Sequence, residues 1–272
     1  MPLPSELLQS IETAIDDVLQ DGGLNPQQQT FINHIQKTSA ELSRAVLPIP
    51  QTEHALRRII PTFGDSFIQQ QVALFGYARL LLESPDSFGG AILSEYQQDK
   101  MQQIYQHGQA LHQLTETIVE SARAERLKNR RAQPEKLDLE AFFADESPIL
   151  QYVIRNRPVE LSIAASPVTV VAVSYHLAAL IQHIVTVLAH ELIETGHIKI
   201  LTHKTTNSGR IDIFCTGIEL NTDEIEILFQ KNGRYLYPQR LEKMGGILHF
   251  QPDSGHSANI QIYLPELNPP SN

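Results

Sequence analysis

EYQQDKMQQIYQHGQALHQLTETIVESARAE (95–125) is the stretch that decides the architecture. Met101, Ile104, Leu111, Leu114, Ile118 and Ala122 recur at close to heptad spacing and form one apolar seam along a long helix. Upstream, Leu74, Ala78, Leu81 and Leu82 mark a second arm, which ends in the turn-rich SPDSFGG (84–90). Two antiparallel helices of this kind cannot bury both faces alone. A second pair, from the same chain or from another copy, has to complete a four-helix bundle.

Further upstream, residues 5–46 hold two more helical patterns separated by Gly22-Gly23. The first places Leu7, Leu8, Ile11, Ile15, Val18 and Leu19 on one face. The second opens with Asn25-Pro26, a capping residue followed by proline at the first helical position. It runs through Phe31, Ile32, Ile35, Leu42 and Val46 until LPIPQ (47–51) stops it, because proline lacks the amide a helix needs. A shift of 69 positions superposes Leu24, Gln28, Gln29, Ile32, Ile35 and Leu42 on Leu93, Gln97, Gln98, Met101, Ile104 and Leu111. Either two Gln-rich amphipathic helices match by chance, or the first pair is a shortened copy of the second.

Downstream of the long helix the pattern changes. The basic run RAERLKNRRAQPEK (123–136) reads as a solvated linker at a helix C-terminus. After it PVELSIAA (158–165), HIKILTHK (197–204), RIDIFCT (210–216), GILHFQP (246–252) and ANIQIYLP (258–265) alternate like strands. Helix-like stretches lie at 173–194, around 222–229 and near 238–244. This order predicts an α+β sandwich with helices on one face, preceded by antiparallel helical hairpins of four-helix-bundle type. The expected domains are 1–50 and 53–130, both helical, and 134–268.

Composition narrows the function. The chain has 272 residues, and Lys+Arg 21 against Asp+Glu 31 gives a net charge of −10, which argues against a nucleic-acid partner. A hydrophobic content of 42% is that of a globular protein, and the single cysteine excludes a disulfide framework or a Cys-rich metal centre. No apolar run approaches the roughly 20 residues that span a bilayer. MPLPSELLQS lacks the basic stretch and apolar core of a signal peptide. A cytoplasmic protein with no membrane partner is expected.

The order of these elements, with their local phrases, resembles the sensor histidine kinases of two-component systems over roughly residues 60–266. FGYARLLLES (75–84) is similar to the end of that family's first dimerisation helix, and 95–125 to its second helix. CTGIELNTDEIEILFQ (215–230) is similar to the family's D-T-G-x-G segment, and LEKMGGILHFQPDSGHSANIQIYLP (241–265) to its last helix and closing strands. The resemblance implies a dimerisation and phosphotransfer hairpin followed by an ATPase-type sandwich.

The chemistry of that family depends on particular side chains, and fold alone does not carry it. Counted from Gly76-Tyr77, the phosphoacceptor histidine falls on Asp65, and the proline that usually comes after it falls on Gln70. Aspartate cannot form the phosphohistidine. The helix that supplies Mg²⁺-binding asparagines aligns with 172–196, where those positions become His183 and Val187, and valine cannot hold a hard cation. Cys215 replaces the adenine-binding aspartate and is a poor acceptor, while Thr216 and Gly217 survive beside it. Between Phe229 and Leu241 only QKNGRYLYPQR remains of the phosphate lid, with Gly233 its sole glycine. Four damaged boxes imply a degenerate, non-catalytic relative with weak or absent ATP and Mg²⁺ binding and no metal site.

Other titratable residues carry sharper and plainer readings. His54, in EHALRRIIP (53–61), is reminiscent of a phosphoacceptor box and would make the chain a phosphotransfer protein or an atypical active kinase; the plain reading is a solvated histidine near a helix start. His176, His183 and His190 repeat every seven residues, too far apart to share one metal. By the alignment their face would line the old nucleotide pocket, and the plain reading is a polar solvent face. Cys215 reads as a small buried hydrophobe. The resemblance implies a homodimeric adaptor that binds a response regulator or a kinase. Its docking surface would centre on Asp65, Phe67, Gln69, Gln70 and the turn after Glu83.

Overall fold

Asn25 and Ser94 begin their helices in the same way. The Asn25 side chain accepts the Gln28 amide (2.8 Å) while the Gln28 side chain accepts the Asn25 amide (3.0 Å). Ser94 and Gln97 repeat the exchange at 3.1 Å in each direction. Each reciprocal cap satisfies two amide donors that a helix start leaves without partners. In the computed structural model, which describes residues 2–84, 92–129, 132–206, 208–218, 241–242, 244–253 and 257–266, these caps open α2 (Pro26–Val46) and α5 (Glu95–Asn129). The remaining helices of the first half are α1 (Pro4–Asp21), α3 (Glu53–Ile59), which runs into a 3₁₀ turn (Ile60–Phe63), and α4 (Gly64–Glu83).

The chain divides into two compact units, Met1–Arg126 and Leu127–Asn272. Both helical hairpins fall in the first unit because they share one core, so the boundary expected near residues 50–53 does not separate compact units. Around that core each long helix touches two neighbours. Ser43 on α2 donates to Glu12 on α1 (2.6 Å), and Gln70 on α4 donates to Glu41 on α2 (3.2 Å). Gln71 on α4 donates to Thr115 on α5 (2.8 Å), and Lys100 on α5 pairs with Asp17 on α1 (2.9 Å). All four contacts join antiparallel helices, so α1, α2, α4 and α5 close into an up-down-up-down bundle within one chain. Ile11, Ile35, Leu74 and Ile104, one from each helix, are fully buried. The α5 seam thus finds its cover inside the molecule, and the homodimer expected from that seam would need another surface.

The second unit is the α+β sandwich. Asp138 caps α6 (Leu139–Ile154) by accepting the Ala141 amide (2.9 Å). Strand β1 (Glu135–Asp138) pairs antiparallel with β3 (Thr169–Ala172). The main sheet has the order β2 (Val159–Ala164), β4 (Gly196–Lys204), β5 (Ser208–Thr216), β7 (Ser257–Pro265), β6 (Ile247–Asp253). Among the described strands only β2 and β4 run parallel, and α7 (Ser174–Val187) lies in the crossover between them. Five strands read from alternation are thus present at nearly their expected bounds. Helix α6 was not legible, since Pro148 and its acidic first half obscure the period.

One face of the sheet is apolar and carries both helices: Phe143 and Leu150 of α6 and Ile181 and Ile184 of α7 meet Ile200, Ile213 and Ile260. On the other face Asp212 is 0% exposed, held by Arg210 Nε (2.9 Å) and His203 Nε2 (3.2 Å). A carboxylate so enclosed needs those donors. The helix expected around 222–229 lies outside the described residues.

The buried Gln71–Thr115 pair yields a stability prediction. Thr115→Val strands the Gln71 amide in the core and should cost about 1–3 kcal/mol. Adding Gln71→Leu removes the stranded group and should recover most of that loss. Urea unfolding of the two variants, monitored by helical circular dichroism, measures both.

Candidate functional site

The region that would hold a nucleotide in a histidine-kinase sandwich is built from α7, the turn after it and the end of β5. Helix α7 forms because Leu177, Ile181, Ile184 and Val185 repeat at helical spacing and bury against the sheet. Val187 continues that face and is buried in the core. Its side chain therefore belongs to the packing, not to a cation. His183 is half-buried on the flank of the helix.

After Val187 the helix loosens into a π turn (Leu188–Leu192), closed by the Ile193 amide on the Leu188 carbonyl (2.9 Å). Such a turn inserts a residue into the helical repeat and shifts the facing of the side chains beyond it. His190 consequently leaves the stripe of His176 and His183. Its Nε2 lies 3.1 Å from the Val153 carbonyl on α6, so the proton sits on that nitrogen. Arg157 caps the same end, donating to the carbonyls of Ala189 (2.8 Å) and His190 (3.1 Å). His190 fastens α7 to α6, which corrects its expected place in the pocket lining.

Cys215 lies on β5 in the alternation that places Ile211 and Ile213 in the core, and is itself buried. Its thiol donates to the Ala258 carbonyl across the β5–β7 pair (3.4 Å). Burial pushes the thiol up to about 12, against a smaller lowering by backbone hydrogen bonding at Ala258. A neutral donor already committed to the backbone cannot accept the amino group of an adenine.

Thr216 and Gly217 have another task. Gly217 has φ +80°, and a Cβ there would sit 1.9 Å from the Thr195 carbonyl oxygen. Opposite it, a Cβ on Gly196 would sit 2.1 Å from the Thr216 carbonyl oxygen. Thr216 Oγ1 accepts the His197 amide at 3.1 Å, and an Ile193–Ile218 bridge lies next to it. These residues let two backbones touch, which is reason enough for both glycines. Gly233 and the lid segment lie outside the described residues. Val187 and Cys215 do not fit Mg–ATP, because both side chains serve the core. Among the described residues no group of three His, Cys, Asp or Glu side chains could hold a metal ion.

In the bundle, Asp65 and Gln69 are exposed on α4, as a docking surface requires. Phe67 is not, at 4% exposed with its ring 5.0 Å from that of Phe63. Gln70 faces α2 through Glu41. Phe67 is therefore withdrawn from the surface, because it is a core residue of α4. His54 is exposed in the first turn of α3.

A feature not foreseen lies further along α4. Ala73, Gly76, Tyr77, Arg79, Leu80 and Glu83 line a groove of about 500 Å³, left open where Gly76 has no side chain. Val72 and Leu80 stand beside it 45% and 44% exposed. The sequence signal was present, since α4 is apolar on two sides while its buried seam accounts for one.

No protein-family model and no curated protein sequence matches the chain. Among solved structures it is similar to the Acinetobacter baumannii histidine kinase AdeS, at 11% identity and a TM-score of 0.43 over 74% of this chain and 97% of that one. A mycobacterial sensor histidine kinase, MprB, matches at 20% identity and 0.39 over 48% of this chain and 97% of that one. The histidine kinase ThkA in complex with the response regulator TrrA matches at 12% and 0.42 over 75% of this chain and 60% of that one. No helix among the described residues is long and apolar enough to cross a membrane.

Cys215 yields a pH prediction. The unfolded thiol ionises near 9.0 and the folded one near about 12, so between those values the folded state holds the extra proton. Stability should therefore fall as pH rises through that window, and Cys215→Ala should remove this part of the slope. At pH 8 a thiol reagent should label the protein in urea and leave the native chain unlabelled.

Proposed function

We propose that this protein is a histidine-kinase-like regulator of two-component signalling that does not transfer phosphate from ATP and acts by binding the receiver domain of a response regulator. The observation that carries the reading is the fate of Val187 and Cys215, both buried in the sandwich core and both at positions where the family resemblance asks for groups that hold Mg²⁺ and adenine. The phrases at 75–84, 95–125 and 241–265, together with a parallel β2–β4 pair inside an otherwise antiparallel sheet, support the family reading.

Partner binding is assigned to α4. In the family the first bundle helix meets the receiver, and here that helix carries exposed Asp65 and Gln69 at one end and the Val72–Leu80 groove at the other. An apolar notch rimmed by Arg79 and Glu83 suits a partner helix with an apolar face. Phosphotransfer through His54 is the second reading, favoured by its exposure on a short helix outside the bundle seam.

Two measurements test the assignment. Calorimetric titration with Mg–ATP should give no heat at about millimolar ligand, and a Kd in the micromolar range would overturn the non-catalytic reading. In binding assays against a panel of receiver domains, Leu80→Glu should weaken the bound partner by at least about tenfold, while Gln9→Glu on α1 should leave it unchanged. Loss with both variants, or with neither, would remove α4 as the docking face. Labelling by a phosphorylated receiver that disappears in His54→Ala would decide for the second reading.

A further inference from the structure

The match between the two hairpins extends beyond the stretch in which the sequence suggests it. Along α2 and α5 the 69-residue shift pairs Ile32 with Met101, Ile35 with Ile104 and Leu42 with Leu111, all buried, and it pairs the two reciprocal caps at Asn25 and Ser94. It also aligns Ser39 with Gly108, both small and buried. The partner helices obey a shift of their own, 63 residues (Ile11 to Leu74). It places Leu8 on Gln71, Ile15 on Ala78 and Val18 on Leu81, each of them buried.

Contacts obey the same mapping. Glu12 on α1 meets Ser43 on α2 (2.6 Å), and the equivalent positions, Phe75 on α4 and His112 on α5, meet with ring centroids 5.7 Å apart. Burial alone would follow from any two amphipathic helices, and the matching reciprocal caps and the equivalent cross-helix pair add to it. A homodimer of hairpins would be built from two like hairpins related by a twofold axis, and these correspondences are those such an arrangement requires.

We propose that the α1–α2 hairpin is an internal copy of α4–α5 that occupies the place of a second chain, so that the molecule is a one-chain pseudo-dimer and its seam does not pair with another copy. Tethering favours this outcome. Only Leu47–Phe63 separate the hairpins, and a tether that short holds its partner at an effective concentration on the order of millimolar, above what a second copy reaches by diffusion. The outer faces of the two hairpins differ in polarity. Where α4 exposes Val72, Arg79 and Leu80, α1 carries Gln9, Asp16 and Asp17. The core pattern has been kept and the apolar outer face has not, which leaves one such face per molecule where a symmetric dimer would show two.

Sedimentation equilibrium of the full chain tests this without reference to any partner. A single species of 30.6 kDa is expected up to about 100 µM, since a completed seam gives no concentration-dependent mass. A second arm uses Glu41→Cys/Gln70→Cys, whose native side chains touch at 3.2 Å, with the native Cys215 buried. A short bismaleimide should link the two within one chain. Either a concentration-dependent dimer or a two-chain band on a denaturing gel overturns the proposal. Where a receiver binds, one per chain is expected, an outcome that rests on the reading of α4; failure of every receiver to bind would sink that reading and leave the monomeric mass standing.

Discussion

The apolar seam shared by α4 and α5 has to be covered, and the whole first unit is shaped by how that is done. At Gly108 an added Cβ would lie 2.8 Å from the Phe75 Cβ, so the two helices approach as closely as a missing side chain permits. That proximity exposes a continuous strip from Met101 to Ala122 which water would not tolerate. The chain supplies the cover itself, in α1 and α2, and ties the ends with Lys100–Asp17 and with the Gln97 side chain on the Gly22 carbonyl (2.6 Å). With the circuit closed, the outer face of α4 still presents Val72 and Leu80 to solvent.

In the sandwich a different rule separates the features that persist from those that have changed. Gly196 and Gly217 are needed because two backbones meet there, and a Cβ at either place would clash with a carbonyl oxygen. Cys215 and Val187 stand where the fold asks only for a small apolar group, and they satisfy it. Positions with a mechanical duty resemble the family's motifs, and positions where the resemblance asks for chemical groups do not. The proposed role of a binding protein expects this division.

Much of the fold was legible because period encodes burial. The five long strands alternate cleanly and lie within about two residues of their expected ends, and the α5 seam is buried at Met101, Ile104, Leu111, Ile118 and Ala122. Period cannot encode the identity of the covering surface, which is why a dimer and a single-chain bundle stood as alternatives until the helix contacts were in view. The site was less legible. The family resemblance places Phe67 on the surface, and its side chain is instead buried in the bundle core. His190 looked like pocket lining because a heptad assumes an unbroken α-helix, and the π turn at Leu188–Leu192 breaks it. Helix α6 hid behind Pro148, and the Gly76 groove had a signal in the sequence that only geometry made specific.

Hydrogen exchange along α5 tests the central claim, a bundle completed within one chain, most directly. Amides from Met101 to Ala122 should be protected to the same degree at high and low protein concentration, because an intramolecular seam does not dissociate on dilution. Protection that falls with dilution, with α1 and α2 exchanging freely beside it, would mean that two chains share the seam and would contradict the account.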